Sequence, residues 1–215
     1  MRVPVIAAPF TKAQRLIMWA GPDPEPTATA EAAGARRRSR DASLRPIRLR
    51  SLTPADAQHM TDLLQRLSPQ SCYQRYFRLV RSFAPADIAR FVAVNPGHLA
   101  VGAFDGDDLV GAAQYFRSSE HPDHAEVALE VADSHHRRRI GARLVQELAR
   151  LAAEVGITHF TATVLAENRA VLGLMRHSGW EIATTLDGTN VDVVMTLPPQ
   201  LVATAGRGAG PRWRR

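Results

Sequence analysis

The chain has 215 residues, 45% hydrophobic and 22% charged, which is ordinary for a soluble globular protein with room for one well-buried domain and flanking segments. No apolar run reaches the roughly 18 residues needed to span a bilayer, and the single Cys72 excludes an internal disulfide and any multi-cysteine metal site. The formal charge of +6 belongs to the ends: between Pro46 and Pro198, 15 Arg face 17 Asp and Glu, a net of −2, while the flanks carry +8.

The first residues, MRVPVIAAPFTK, are short, broken by proline and without a clear cleavage site, so a cytoplasmic location is expected. One Lys against 26 Arg, in an Ala-rich chain, points to a GC-rich bacterial genome. The basic ends, RRRSR at 36–40 and Arg207, Arg212, Arg214 and Arg215, can attract acidic partners without preference. With no interleaved aromatics or recognised motif, nucleic-acid binding is not expected.

Residues 1–45, with the GPDPEP cluster and an Ala/Arg-rich stretch, read as a poorly ordered lead. The domain begins at Pro46. IRLRSL at 47–52 alternates as a half-buried strand, and Thr53-Pro54-Ala55-Asp56 is a helix start with Met60, Leu63, Leu64 and Leu67 as its apolar stripe. A second helix opens at Ser68-Pro69 and runs through Phe77. A third opens at Ala84-Pro85, with Ile88, Phe91 and Val92 facing inward.

HLAVGAF and LVGAAQYFR form a hairpin about the turn at 105–108, and Ala125–Val131 is the next strand. A helix follows from about Arg137 to Val155, with Ile140, Leu144, Leu148 and Leu151 at spacings of three and four and Gly156 as terminator. Then come a strand at 157–165, a helix at 168–178 and a hairpin of 180–186 with 191–197. Pro198-Pro199 stops it, and 199–215 reads as a basic flexible tail. The expected architecture is a single α/β domain over 46–198, with a mixed, mostly antiparallel sheet of six or seven strands flanked by helices.

The stretch EVALEVADSHHRRRIGARL, at 126–144, carries the chemistry. A strand feeding a basic turn at a helix N-terminus offers unpaired backbone N–H groups and the positive end of the helix dipole, a seat for phosphate. The adjacent His135 and His136 have no spaced partners and fit no common metal site, so no metal is expected.

The element order, this strand–turn–helix and the later ENRAVLGLMRHSGW together resemble the GNAT (GCN5-related) N-acetyltransferases over about Pro46–Leu197. RLSPQSCYQRYF at 66–77 and the Ala125–Val131 strand resemble the GNAT domain of bacterial protein-lysine acetyltransferases. The resemblance implies acetyl-CoA as co-substrate and an amine acceptor, with a protein lysine expected. Oligomeric state is left open.

In the family's pyrophosphate turn, Gln/Arg-x-x-Gly-x-Gly/Ala, this chain has His136-Arg137-Arg138-Arg139-Ile140-Gly141: His136 replaces Gln/Arg, Arg139 replaces the middle Gly, and Gly141 is retained. The resemblance implies that Leu129, Glu130 and Val131 pair with the pantetheine arm through their backbones. It places the pyrophosphate on Arg137, Arg138, Arg139, Ile140, Gly141 and Ala142, and Asn168 against the pantetheine or the thioester region. Glu126 is the implied general base and Glu130 the alternative; alternation puts both on one strand face, opposite Val127, Leu129 and Val131, unless a bulge intervenes. Met175 stands where many members place a general-acid Tyr. The acceptor pocket is expected from about 66–83 and 186–190. A small-amine acetyltransferase and a weakly catalytic acyl-CoA-binding regulatory module are the alternatives.

Overall fold

The computed structural model describes residues 46–78, 80 and 82–205; the expected lead at 1–45 and the segment 206–215 lie outside the described residues. Seven strands, β1 (Arg48–Ser51), β2 (His98–Asp105), β3 (Asp108–Arg117), β4 (His124–Val131), β5 (His159–Leu165), β6 (Glu181–Asp187) and β7 (Asn190–Thr196), form one sheet in the order β1-β2-β3-β4-β5-β7-β6. Every neighbouring pair is antiparallel except β4–β5.

Six helices flank it: α1 (Ala57–Gln65), α2 (Pro69–Tyr76), α3 (Pro85–Phe91), α4 (Ile140–Ala153), α5 (Arg169–Arg176) and α6 (Pro199–Ala205). Pro occupies the first helical position of α2 and α3, where its missing N–H costs nothing. Gly156, at φ 82°, follows the end of α4.

The sheet has a separate core on each face. On one, Ile140, Leu144 and Leu148 of α4 pack on Val101, Ala113, Phe160 and Met195. On the other, Met60, Leu63 and Leu64 of α1 and Ile88 of α3 pack on Leu52, Ala100, Phe104 and Ala112. Leu151, expected in the α4 stripe, is half-buried. Cys72 is buried in α2 and free. No helix among the described residues is long and apolar enough to cross a membrane.

Two departures from expectation have a clear physical cause. The α4 helix starts at Ile140, because Arg137 and Arg139 adopt left-handed backbone angles (φ 60° and 58°) that a helix cannot include. The 199–215 segment does not begin as a flexible tail. Pro199 opens α6, whose Leu201 and Val202 pack against the α4-side core. The Pro pair ends β7, but the second proline also supplies the fixed φ that suits a first helical turn.

Candidate active site

Strands β4 and β5 hydrogen-bond over only three residue pairs, His124↔His159, Ala125↔Phe160 and Glu126↔Thr161. Beyond Thr161, β5 continues along β7 to Leu165, while β4 continues along β3 to Val131. The two strands part at Glu126. From Val127 onward, one edge of β4 has no strand partner and faces a cleft of about 1590 Å³.

Glu126, Leu129, Glu130, Val131, Arg137, Arg139, Ile140, Gly141, Ala142 and Asn168 all line this cleft, so the fold collects nearly every residue singled out in the sequence. Arg138 is the exception. Its guanidinium reaches away to Asp105 (Nη1 to Oδ2, 3.2 Å), where His135 Nε2 also lies at 3.3 Å, so only its backbone remains with the turn. His136 Nε2 lies 2.9 Å from the carbonyl oxygen of Val131, tying the turn to the strand end.

The register of β4 on β3 is unbroken from Ala125 to Val131, so no bulge changes its facing. Val127, Leu129 and Val131 pack toward α4, and Glu126 and Glu130 point to the opposite face. The two carboxylates differ in surroundings. Glu130 is buried, with Oε2 accepting from Arg75 Nε at 3.0 Å, and its Oε1 is buried without a hydrogen-bond partner among the described residues. Burial pushes its carboxyl up, and Arg75 pulls it back. Glu126 is only half-buried and stands at the fork of the strands.

The basic turn is built from strained backbone. A non-glycine residue in the left-handed region costs about 1–2 kcal/mol, and Arg137 and Arg139 both adopt it. Alternation of this kind turns successive N–H groups toward one concavity, which suits an anion. The α4 N-terminus adds its dipole.

Gly141 serves close approach. A Cβ there would stand 3.0 Å from Leu174 Cδ1 and 3.2 Å from Leu129 Cδ2, so its absence lets α4 sit tight against β4 and α5. Asn168 caps α5, its Oδ1 accepting from the Val171 N–H at 3.2 Å while the residue borders the cleft.

Two supports were not anticipated from sequence. Asp133, just after β4, accepts from Ser68 N, Ser68 Oγ and Ser71 Oγ at 2.8–2.9 Å, anchoring the start of α2 beside the turn. Asp105, at the β2–β3 turn, holds Arg138 and His135. Neither is legible locally, because each acts on a segment distant in sequence.

Tyr76, Phe83 and Phe91 form an aromatic wall of the cleft, with ring centroids 5.1 and 6.2 Å apart along the series. The segment 186–190 does not border the cleft; it lies at the far β6–β7 hairpin, and α3 supplies Asp87, Arg90 and Phe91 in its place. Met175 borders the cleft and is buried. Among the lining residues the one tyrosine is Tyr76, on α2. Its hydroxyl is buried without a partner among the described residues, and burial pushes its phenol well above the ordinary range.

A sheet forked beside a carboxylate, with a strained cationic turn at the mouth of a helix, defines a class. The chain belongs to the acetyltransferase (GNAT) family, whose model matches residues 58–180, more than half of it. The family takes its name from acetyl transfer.

Among relatives, the chain is 27% identical over 164 residues to acetyltransferase Pat of Mycolicibacterium smegmatis. The match takes in 72% of this chain and 49% of Pat, so the chain spans about half the length of that relative. The GNAT domain of S. lividans PAT is similar in structure, with a TM-score of 0.66 at 25% identity over 70% of this chain and 90% of that one. The PaiA N-acetyltransferase from Thermoplasma acidophilum, solved in complex with coenzyme A, has a TM-score of 0.56 at 15% identity, covering 70% of this chain and 99% of that one. At that identity the likeness is one of fold.

Proposed function

We propose that the chain is an acetyl-CoA-dependent N-acetyltransferase that acetylates a protein lysine, with Glu126 as general base. The observation that carries this reading is the parting of β4 from β5 immediately after Glu126. It puts an unpaired β-edge, a carboxylate and a cationic turn along one cleft. The motif resemblance to protein-lysine acetyltransferase domains and the likeness to two proteins named Pat support the acceptor class.

The residues fit acetyl-CoA by their chemistry. The open edge at Leu129–Val131 offers backbone groups for the pantetheine amides. The N–H groups from Arg137 to Ala142 and the Arg139 side chain offer donors for the phosphates. The space at Gly141 permits close approach of α4 to the cleft wall.

Acetyl-CoA supplies an activated acyl group. A lysine amine is almost wholly protonated at neutral pH, so Glu126 accepts a proton from it, directly or through one water, and frees the nitrogen lone pair. The N–C bond forms at the thioester carbonyl and the C–S bond breaks; the nitrogen passes its second proton through water to the departing thiolate, and Glu126 returns the first to solvent.

Calorimetry with acetyl-CoA, followed by thiol-release assays on protein and small-amine panels, tests the reading. The expected result is binding together with turnover on a protein acceptor. Binding without turnover would move the reading to a regulatory acyl-CoA module. Turnover confined to small amines would move it to that acceptor class, and absence of binding would end all three.

A further inference from the structure

The parallel register of β4 on β5 brings two histidines together that are far apart in sequence. His124 and His159, the first residues of their strands, are direct cross-strand partners, and their rings stack with centroids 4.4 Å apart and planes 12° apart. Asp123 joins them, with Oδ1 3.1 Å from His124 Nδ1 and Oδ2 3.9 Å from His159 Nδ1. One ligand atom from each of the three lies within 4.8 Å of the others.

The supporting contacts hold this geometry from the backbone. The Asp123 carbonyl accepts from the N–H groups of Thr158 (2.8 Å) and His159 (3.1 Å), which fixes Asp123 over the start of β5. Thr158 Oγ1 lies 2.8 Å from His159 Nδ1 and orients that ring. None of the three residues borders the acetyl-transfer cleft.

We propose that Asp123, His124 and His159 form a binding site for a divalent transition metal, zinc in the first instance, that cross-links β4 to β5 where the sheet is still closed. Two imidazoles and a carboxylate are the ligand set of zinc sites with three protein ligands and a fourth position for water. The borderline nitrogen donors select against calcium and magnesium, which take oxygen cages. Ligand atoms about tetrahedral zinc stand roughly 3.4 Å apart, from bonds of about 2.0–2.1 Å. The observed separations reach that arrangement by rotation of Asp123 and His159 side chains, which are 53% and 30% exposed, and the same exposure gives an entry path. Bound there, the metal pins the short ladder from which the two strands diverge.

The sequence alone offered only the adjacent His135 and His136, a pair with no third ligand. The fold supplies what spacing could not, since the third ligand comes through strand register.

The test uses the tag-free full chain, stripped with a chelator and titrated with zinc chloride by calorimetry, with cobalt(II) as a spectroscopic probe. One equivalent of zinc is expected to bind at micromolar affinity or tighter, with the visible absorption of four-coordinate cobalt. The unfolding midpoint should rise by about 5 °C or more at a hundredfold excess over the dissociation constant. Asp123→Ala and His159→Ala, both at partly exposed positions, should each weaken binding at least about tenfold while leaving the metal-free midpoint nearly unchanged. The His135→Ala/His136→Ala chain should bind as the parent does. Absence of heat and colour, binding that survives both single substitutions, or loss in the His135/His136 variant would each overturn the proposal.

Discussion

Arg75 and Glu130 join α2 to β4 through one hydrogen bond, Nε to Oε2 at 3.0 Å, with the carboxylate almost fully enclosed. Burying a carboxylate is costly unless its partner is present. Arg75→Met should therefore destabilise the fold by about 3 kcal/mol in urea unfolding. The double variant Arg75→Met/Glu130→Met should recover most of that loss, because no unpaired charge remains. A double variant as unstable as the single one would show that the Arg75 stem, rather than the ion pair, is what matters.

Glu126 stands at the fork of the strands, and its charge also acts on Arg75. Glu126→Gln should lower kcat by about 10²–10⁴-fold, the usual range for a lost general base. The affinity for acetyl-CoA, read by calorimetry, should hardly change. Unaltered turnover would pass the role to Glu130 or to water.

The strain at Arg139 makes a two-part prediction. Arg139→Gly removes an unfavourable backbone angle of about 1–2 kcal/mol but adds unfolded-state entropy of about 0.5–1 kcal/mol. Stability should rise by about 0–1.5 kcal/mol as the difference. Acetyl-CoA affinity should fall about tenfold, the worth of one charge-assisted hydrogen bond. A rise in affinity would show that the side chain obstructs the site.

Gly141→Ala separates packing from propensity. Alanine is about 1 kcal/mol better than glycine inside a helix, but its Cβ presses on Leu174 and Leu129. The two effects should leave thermal stability nearly unchanged, while displacement of those cleft-lining side chains lowers acetyl-CoA affinity. Gly141→Val, with more to fit, should cost about 1–3 kcal/mol.

Asp56 sets an acid limit on the fold. Arg50 grips its carboxylate with both terminal nitrogens (2.6 and 2.8 Å), Thr53 donates two further bonds, and the guanidinium holds the carboxyl well below the usual range. A carboxyl depressed in the folded state stabilises fully above its unfolded pKa, near 4, and loses that contribution as pH falls toward the folded value. Asp56→Asn should cost about 2 kcal/mol at neutral pH. The gap to the parent, followed by urea unfolding across pH, should narrow below about pH 4.

The sequence revealed most where neighbours along the chain decide the outcome. Alternation in 126–131 gave the facing of Glu126 and Glu130 because β4 is unbroken and each face meets a different helical layer. It failed where backbone angles contradict residue type, as at Arg137 and Arg139, since nothing in an arginine announces a left-handed angle. A proline can also be read two ways: Pro199 looked like a stop and is a helix start. Asp105, Asp133 and the His124–His159 stack were out of reach, because each depends on segments brought together only by the sheet.

The three-residue seam between β4 and β5 leaves the sheet as two plates, β1–β4 and β5–β7, riveted at one end. Amide hydrogens along the free edge of β4 lack the partner that slows exchange elsewhere in the sheet. A molecule lying in the gap takes the place of the missing rungs. Its arrival should be felt as slowed exchange in both plates, far beyond the atoms it touches.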